Sequence, residues 1–354
     1  MMMDNNLKKI FSQVTPGTAF REGLDNILDA GTGALVVLDA NGPLGDLIDG
    51  GFELNCRFTP QRLHELSKMD GAIILDGTAG QIKYANVHLQ PDKSFKTNES
   101  GTRHRTAQRV ARQTDNLVIA ISERRNRITL YKGDFRYKVK NLSDIMTEGS
   151  QAMKTFERYK HVLDRALQNI TLLEFDKMVT LSEVVTVLQR FEMLVRIRVE
   201  VEHSIIELGS EGKFLEIQLE ELFKGVLKEE ENFIRDYINL GEEGFGATEV
   251  KERLLGLGDL ELLESENIAG ALGYGRSAAT FDMELDTKGY RILNKITRIT
   301  RKDTEKIIGK YGVLSKILEL TEEELVGIRG ISMFKARSIK KGMKRLKTTA
   351  EWEK

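Results

Sequence analysis

The hydrophobic rhythm of the chain changes once, near residue 150, and that change decides what each part can fold into. Before it, short apolar runs alternate with amphipathic stretches, the pattern of a layered α/β domain. Residues 34–38, 72–75, 84–88, 117–121, 127–131 and 135–139 read as strands, and 7–14, 20–30, 60–69 and 106–113 as helices. The polar Arg124-Arg125-Asn126 reads as a hairpin turn between two of the strands. After residue 150, apolar residues recur at three-and-four spacing over 151–169, 181–208 and 212–239. Phe156, Tyr159, Val162, Leu163, Ala166 and Ile170 make one such stripe, and Val184, Leu188, Phe191, Leu194 and Val195 another. The expectation is a multi-domain protein: an α/β domain with a mixed sheet over 1–149, an all-α spine over 150–287 and a small all-α domain over 288–354.

Charge supports the division. The 354 residues carry a net charge of −1. Lys and Arg against Asp and Glu leave about +2 over 1–149, about −13 over 150–287 and about +10 over 288–354. Segments so different in sign have different partners. The acidic middle, including Glu229-Glu230-Glu231, reads as a solvated face without metal-ligand spacing. A single cysteine, Cys56, excludes an internal disulfide. Met1–Lys9 is too polar for a signal peptide and no run reaches membrane-spanning length, so a cytoplasmic protein with no membrane partner is expected.

Two motifs carry chemistry. Gly101-Thr102-Arg103-His104-Arg105-Thr106 gathers two guanidinium groups, an imidazole and two hydroxyls where a loop enters a helix. Ser100 and Thr102 are suitable N-caps, and a helix start there aims free N–H groups and a positive dipole end at an anion. Arg103 and Arg105 add planar forks that match phosphate oxygens in pairs. The plain alternative is a basic, solvated helix start. The second motif is Asp70-Gly71-Ala72, at the junction between the helix opened by Thr59 and Pro60 and the strand Ile73-Ile74-Leu75. A carboxylate there either ends the helix or serves phosphoryl chemistry by holding a divalent metal or taking a hydroxyl proton.

Together, Asp70-Gly71-Ala72 and Gly101-Thr102-Arg103-His104-Arg105 resemble the signature pair of the diadenylate cyclase family. Gly51-Phe52-Glu53-Leu54-Asn55, Ala85-Asn86-Val87-His88-Leu89 and Ile121-Ser122-Glu123-Arg124-Arg125-Asn126 look like that family too. Over essentially its whole length the chain is similar to the family's DNA-scanning members. The resemblance implies a nucleotidyltransferase that joins two ATP molecules into cyclic di-AMP with loss of pyrophosphate, using Mg²⁺ or Mn²⁺. It implies Asp70 as metal ligand and catalytic residue, and Gly71 as the point of close nucleotide approach. Thr102, Arg103, His104, Arg105, Thr106, Ser122 and Arg124 would hold the phosphates, and Leu89 would lie at the adenine. His88 and Tyr84 are stacking candidates for which core packing is equally open. One copy of each motif per chain makes catalysis intermolecular, and the family's octamer implies a homo-octamer here.

The C-terminal segment has its own signal. Ile328-Arg329-Gly330-Ile331-Ser332 lies between a helix ending near Val326 and one beginning near Met333, matching the turn of helix-hairpin-helix modules, whose backbone N–H groups meet phosphates without reading sequence. Ile296-Thr297-Arg298-Ile299-Thr300 resembles a degenerate first hairpin. Ser332 stands where the family usually has Gly, and Thr297 and Thr300 where it usually has prolines, so altered DNA contact is expected. Lys335 and the basic residues after it supply the electrostatic attraction. The expected partner is branched or damaged DNA. The alternative to a DNA-responsive cyclase is a non-enzymatic protein that senses ATP and binds DNA structures, and the alternative for the tail is a basic domain binding protein or RNA.

Overall fold

The structure is a computed structural model describing residues 5–40, 44–239, 246–275 and 278–352. They gather into two compact units, Met1–Gln151 with Glu200–Ile217, and Ala152–Val199 with Gln218–Lys354.

The first unit opens with α1 (Asn5–Val14) and α2 (Ala19–Asp29), followed by β1 (Ala34–Asp39), β2 (Ile48–Asp49), β3 (Phe52–Arg57) and α3 (Pro60–Ser67). Next come β4 (Ala72–Asp76), β5 (Gln81–Leu89), α4 (Thr102–Thr114), β6 (Leu117–Ser122), β7 (Arg127–Lys132) and β8 (Phe135–Lys138). The strands form one sheet in the order β2-β5-β4-β1-β6-β7-β8, with β3 also pairing β5. It is mixed: β1 runs parallel to β4, and the other pairs are antiparallel.

Side-chain alternation on the central strands builds two cores. Val36, Leu38, Ile73, Leu75, Ile119 and Ile121 face one way, against Leu24 and Ile27 of α2 and Leu63 of α3. Leu35, Val37, Ala72, Ile74, Val118 and Ala120 face the other, against Ala107, Val110 and Ala111 of α4. Burial on both faces explains why these strands read as unbroken apolar runs. The Thr59 hydroxyl accepts the Arg62 N–H at 3.2 Å, and Pro60 takes the first helical position of α3, as the sequence implied.

The helical region begins with α5 (Leu142–Asp176) and α6 (Leu181–Leu208), the first of them extending beyond its predicted ends. The expected third helix is divided: α7 (Lys213–Phe223) stops before α8 (Val226–Tyr237), because Gly225 takes a φ of 81°. The short helices α9 (Ala247–Leu255), α10 (Asp259–Leu262), α11 (Ser265–Ala271) and α12 (Ala278–Phe281) follow. The reading of the acidic run as a solvated face needs correction. Glu230 is buried and paired with Lys251 at 2.8 Å, while Glu229 contacts Lys295. The cations come from segments remote in sequence, which local spacing could not reveal.

The chain ends with α13 (Tyr290–Asn294), α14 (Arg301–Tyr311), α15 (Leu314–Glu319), α16 (Glu322–Val326) and α17 (Met333–Trp352). Arg291 of α13 is fully buried, bonded to Glu174 and, at 2.9 Å, to the Thr171 hydroxyl, both on α5. Asp236 of α8 accepts the N–H groups of Gly289, Tyr290 and Arg291 at 2.7, 2.5 and 2.9 Å, capping the start of α13. These contacts fix the start of the C-terminal segment to the helices before it within the second unit.

Candidate functional site

Strand register alone brings the predicted nucleotide-site residues to one end of the sheet. Ala72 pairs with Leu35 and with Val87, and Ala34 pairs with Ile121. The starts of β1 and β4 and the ends of β5 and β6 therefore lie together, carrying Asp70 and Gly71, Leu89, and Ser122 with the β6–β7 turn. The start of α4 reaches the same end. An added Cβ on Gly33 would lie 2.2 Å from an Arg103 guanidinium nitrogen and 3.2 Å from the Ile121 carbonyl oxygen. Gly33 is thus the space in which Arg103 rests, a role no motif announced.

The helix starts earlier than its sequence indicated. Thr102 is its first residue and Gly101, in extended conformation, its N-cap, with no side-chain capping bond. The motif residues consequently form the first turn itself. Neither Ser100 nor Thr102, the expected caps, takes that position, and without a capping side chain the backbone donors of the turn are available to an anion. Ser100 instead accepts a hydrogen bond from Arg125 at 3.2 Å, and Ser122 accepts the Arg125 backbone N–H at 3.3 Å. Arg125 ties the β6–β7 turn to the loop before α4, leaving Arg124 exposed beside it. Thr102 and Arg105 are exposed, and Thr106 is half-buried.

His104 has a different setting. Its Nδ1 lies 2.9 Å from the Tyr131 hydroxyl, which donates to Glu99 at 2.9 Å, and Glu99 pairs with Arg136 at 2.5 Å. Tyr131 has one proton to give, and burial together with Glu99 holds its phenol above the usual range. With that proton directed at Glu99, the phenol oxygen is left as an acceptor for Nδ1–H of His104, and the neutral ring keeps its lone pair on Nε2. Nε2 is buried with no hydrogen-bond partner among the described residues. Burial lowers the affinity of the imidazole for a second proton, and Arg125, Arg136 and Arg103 act in the same direction against Glu99. Glu99, Tyr131 and Arg136 lie outside both motifs, and only their meeting in space marks them.

Gly71 is required by the backbone. At φ 92°, an added Cβ would lie 2.8 Å from backbone atoms of Asn86 and Val87, so β5 passes against it. Asp70 is exposed, and its carboxylate has no hydrogen bond or ion pair among the described residues. Leu89 is half-buried and pairs with Ile48. Tyr84 packs on the core beneath α4, whereas His88 is exposed. No group of three or more His, Cys, Asp or Glu side chains suited to a metal occurs among the described residues. A lone exposed carboxylate fits Mg²⁺ or Mn²⁺ if nucleotide phosphates and water complete the coordination, the usual habit of Mg²⁺ at phosphate sites.

The C-terminal segment contains a second set of candidates, and it is a repeat. Each part of its second helix–turn–helix unit starts 32 residues after its counterpart, Glu322 against Tyr290 and Met333 against Arg301. The left-handed residue in the first turn is Arg298, φ 75°, and in the second Gly330, φ 97°. The Ile299 N–H bonds to the Ile296 carbonyl at 3.2 Å, and that of Ile331 to the Ile328 carbonyl at 3.0 Å. All four isoleucines are buried, so Ile328 and Ile331 offer a partner only their backbone. Arg329, Gly330 and Ser332 are exposed. Lys335 pairs with Asp303 at 2.7 Å, and these equivalent third positions of the two long helices bind the repeats to each other.

Comparison with known proteins identifies the family. Residues 21–135 match the family described as DisA bacterial checkpoint controller nucleotide-binding, and 139–281 the DisA bacterial checkpoint controller linker region. The chain is 46% identical over 353 residues to the DNA integrity scanning protein DisA of Fusobacterium nucleatum, covering 100% of both chains. It is 42% identical to the DisA of Bacillus subtilis over 341 residues, 96% of this chain and 94% of that one. Among solved structures, DacA from Staphylococcus aureus aligns with 39% of this chain and 91% of its own, at 23% identity and a TM-score of 0.31. Among the described residues no helix is long and apolar enough to cross a membrane.

Proposed function

Because the chain belongs to the DisA family of bacterial checkpoint controllers, we propose that it condenses two ATP molecules into cyclic di-AMP and couples this to binding of branched or damaged DNA. The observation that carries the first part is the convergence of Asp70, the uncapped start of α4 and the β6–β7 turn on one end of the sheet.

Each 3′-hydroxyl attacks the α-phosphate of the other nucleotide, forming one P–O bond as the bond to pyrophosphate breaks. The backbone donors of the first α4 turn and the guanidinium groups of Arg103 and Arg105 take up the phosphate charge, while Arg124 adds a donor from the neighbouring turn. His104, held in one tautomer, keeps Nε2 buried at the same helix start. Asp70 orients the attacking hydroxyl and accepts its proton. A divalent metal, when bound by Asp70 and the phosphates, neutralises charge and lowers the pKa of the hydroxyl. With one Asp70 and one α4 per chain, two subunits must face each other for a single reaction, which fits a homo-octamer or any assembly that pairs these sites.

The paired tight turns of the C-terminal segment support its reading as a tandem helix-hairpin-helix module that grips DNA backbone. The decisive experiment is incubation of the purified chain with ATP and Mg²⁺ or Mn²⁺, with product identified by mass. Cyclic di-AMP with two pyrophosphates released is expected. ATP binding without product would leave the non-enzymatic alternative, a protein that senses ATP and binds DNA structures.

A further inference from the structure

The first turn of the C-terminal repeat has Arg298 where the second has Gly330. A side chain in the left-handed region is unfavourable by about 1–2 kcal/mol, so something must hold it there. The Arg298 guanidinium lies over the ring of Phe334, 4.8 Å from its centroid. Phe334 is the second residue of α17, immediately after the other turn. It is 57% exposed, and Met333 beside it 40% exposed. The equivalent position of the first repeat, 32 residues earlier, is the exposed Lys302. A large apolar ring thus stands in solvent between two backbone turns, within a segment of about +10 net charge.

We propose that Phe334, pinned by Arg298, is a stacking platform for an unpaired or terminal DNA base. The proposal rests on the DNA-binding reading above and deepens it by naming what the module selects. Backbone turns grip any duplex, but a duplex hides its base faces except where stacking is interrupted, at junctions, flaps, gaps and ends. An aromatic face meets every base about equally well, so such a contact selects DNA structure without selecting sequence. Positive surroundings draw the phosphates in, and Arg298 covers one side of the ring while the rest remains open. Lys306, hydrogen-bonded to the Arg329 carbonyl at 3.1 Å, steadies the second turn beside it.

The test uses the full chain with a linear duplex and a four-way junction carrying 2-aminopurine at the branch. Phe334→Ala is expected to weaken junction binding about tenfold or more, to leave duplex binding within about twofold, and to abolish the 2-aminopurine quenching seen with the wild type. Phe334→Trp should restore both preference and quenching. Equal losses on the two DNAs, or no change on either, overturn the proposal. So does an altered oligomeric state of Phe334→Ala with junction preference intact, which would make the ring a protein contact. Gly330→Val separates the two levels. If it abolishes binding to both DNAs while Phe334→Ala changes nothing, only the platform is wrong. If the wild type binds neither DNA, the DNA-binding reading falls with it.

Discussion

On the proposed reading Asp70 and Arg103 divide the labour of the nucleotide site, and their substitutions should separate it. Asp70→Asn keeps the shape and removes the charge, so turnover is expected to fall about a hundredfold or more while ATP still binds. Single-turnover assays beside nucleotide titration check this, and a variant retaining a tenth of wild-type turnover removes Asp70 from the mechanism. Arg103→Ala or Arg105→Ala should weaken binding and turnover together, by about 1.5–3 kcal/mol for each lost charge-assisted bond. Superimposable ATP titrations would contradict phosphate binding by this helix start. Tyr131→Phe is subtler. It leaves His104 in place without the oxygen that fixes its tautomer, so turnover should drop about tenfold, as when an orienting partner of a histidine is lost, while ATP affinity holds. A parallel loss of affinity would assign Tyr131 to packing alone.

At the scale of the element, the central strands were legible because burial on both faces leaves short apolar runs rich in β-branched residues and too brief for helices. The C-terminal turn was legible because Gly330 lies between two isoleucines. Its partner was only half legible, since Arg298 hides a left-handed position behind a residue that seldom occupies one. β3 has a signal in Phe52, Leu54 and Cys56 alternating with polar residues, but both large side chains are exposed, so it lacks the apolar weight of the inner strands. The relay from Arg136 to His104 joins three strands or loops and a helix, and no spacing encodes it. In α6, Glu192 is buried, and burial together with nearby Glu230 pushes its carboxyl up to about 8, against the pull of Arg196 and Lys251. The folded state therefore holds a proton that the unfolded chain releases near pH 4.5. This contribution is complete below that pH and is lost as pH rises through 8. Hydrogen exchange of the α6 amides should accelerate between pH 4.5 and about 8 beyond its intrinsic rate. Glu192→Gln should remove the excess, and an unchanged excess would locate the effect elsewhere.

At the scale of the whole molecule, the proposed reaction, with one copy of each motif per chain, would make activity a property of assemblies. Turnover per subunit is expected to fall on dilution through the dissociation range of the oligomer, followed by light scattering on the same samples. Constant activity from monomers would end the model of facing sites. Burial of Arg291 against Glu174, and of Asp236 beneath the start of α13, bears on the C-terminal segment as a whole. Arg291→Met strands a buried carboxylate and should cost about 3–5 kcal/mol, whereas adding Glu174→Leu should return most of it, as denaturant midpoints would reveal. Such a seam also constrains any exchange of segments. A C-terminal segment transplanted at residue 288 would have to bring an arginine for Glu174 and a helix start for Asp236. One that lacked the arginine would leave a buried carboxylate uncompensated.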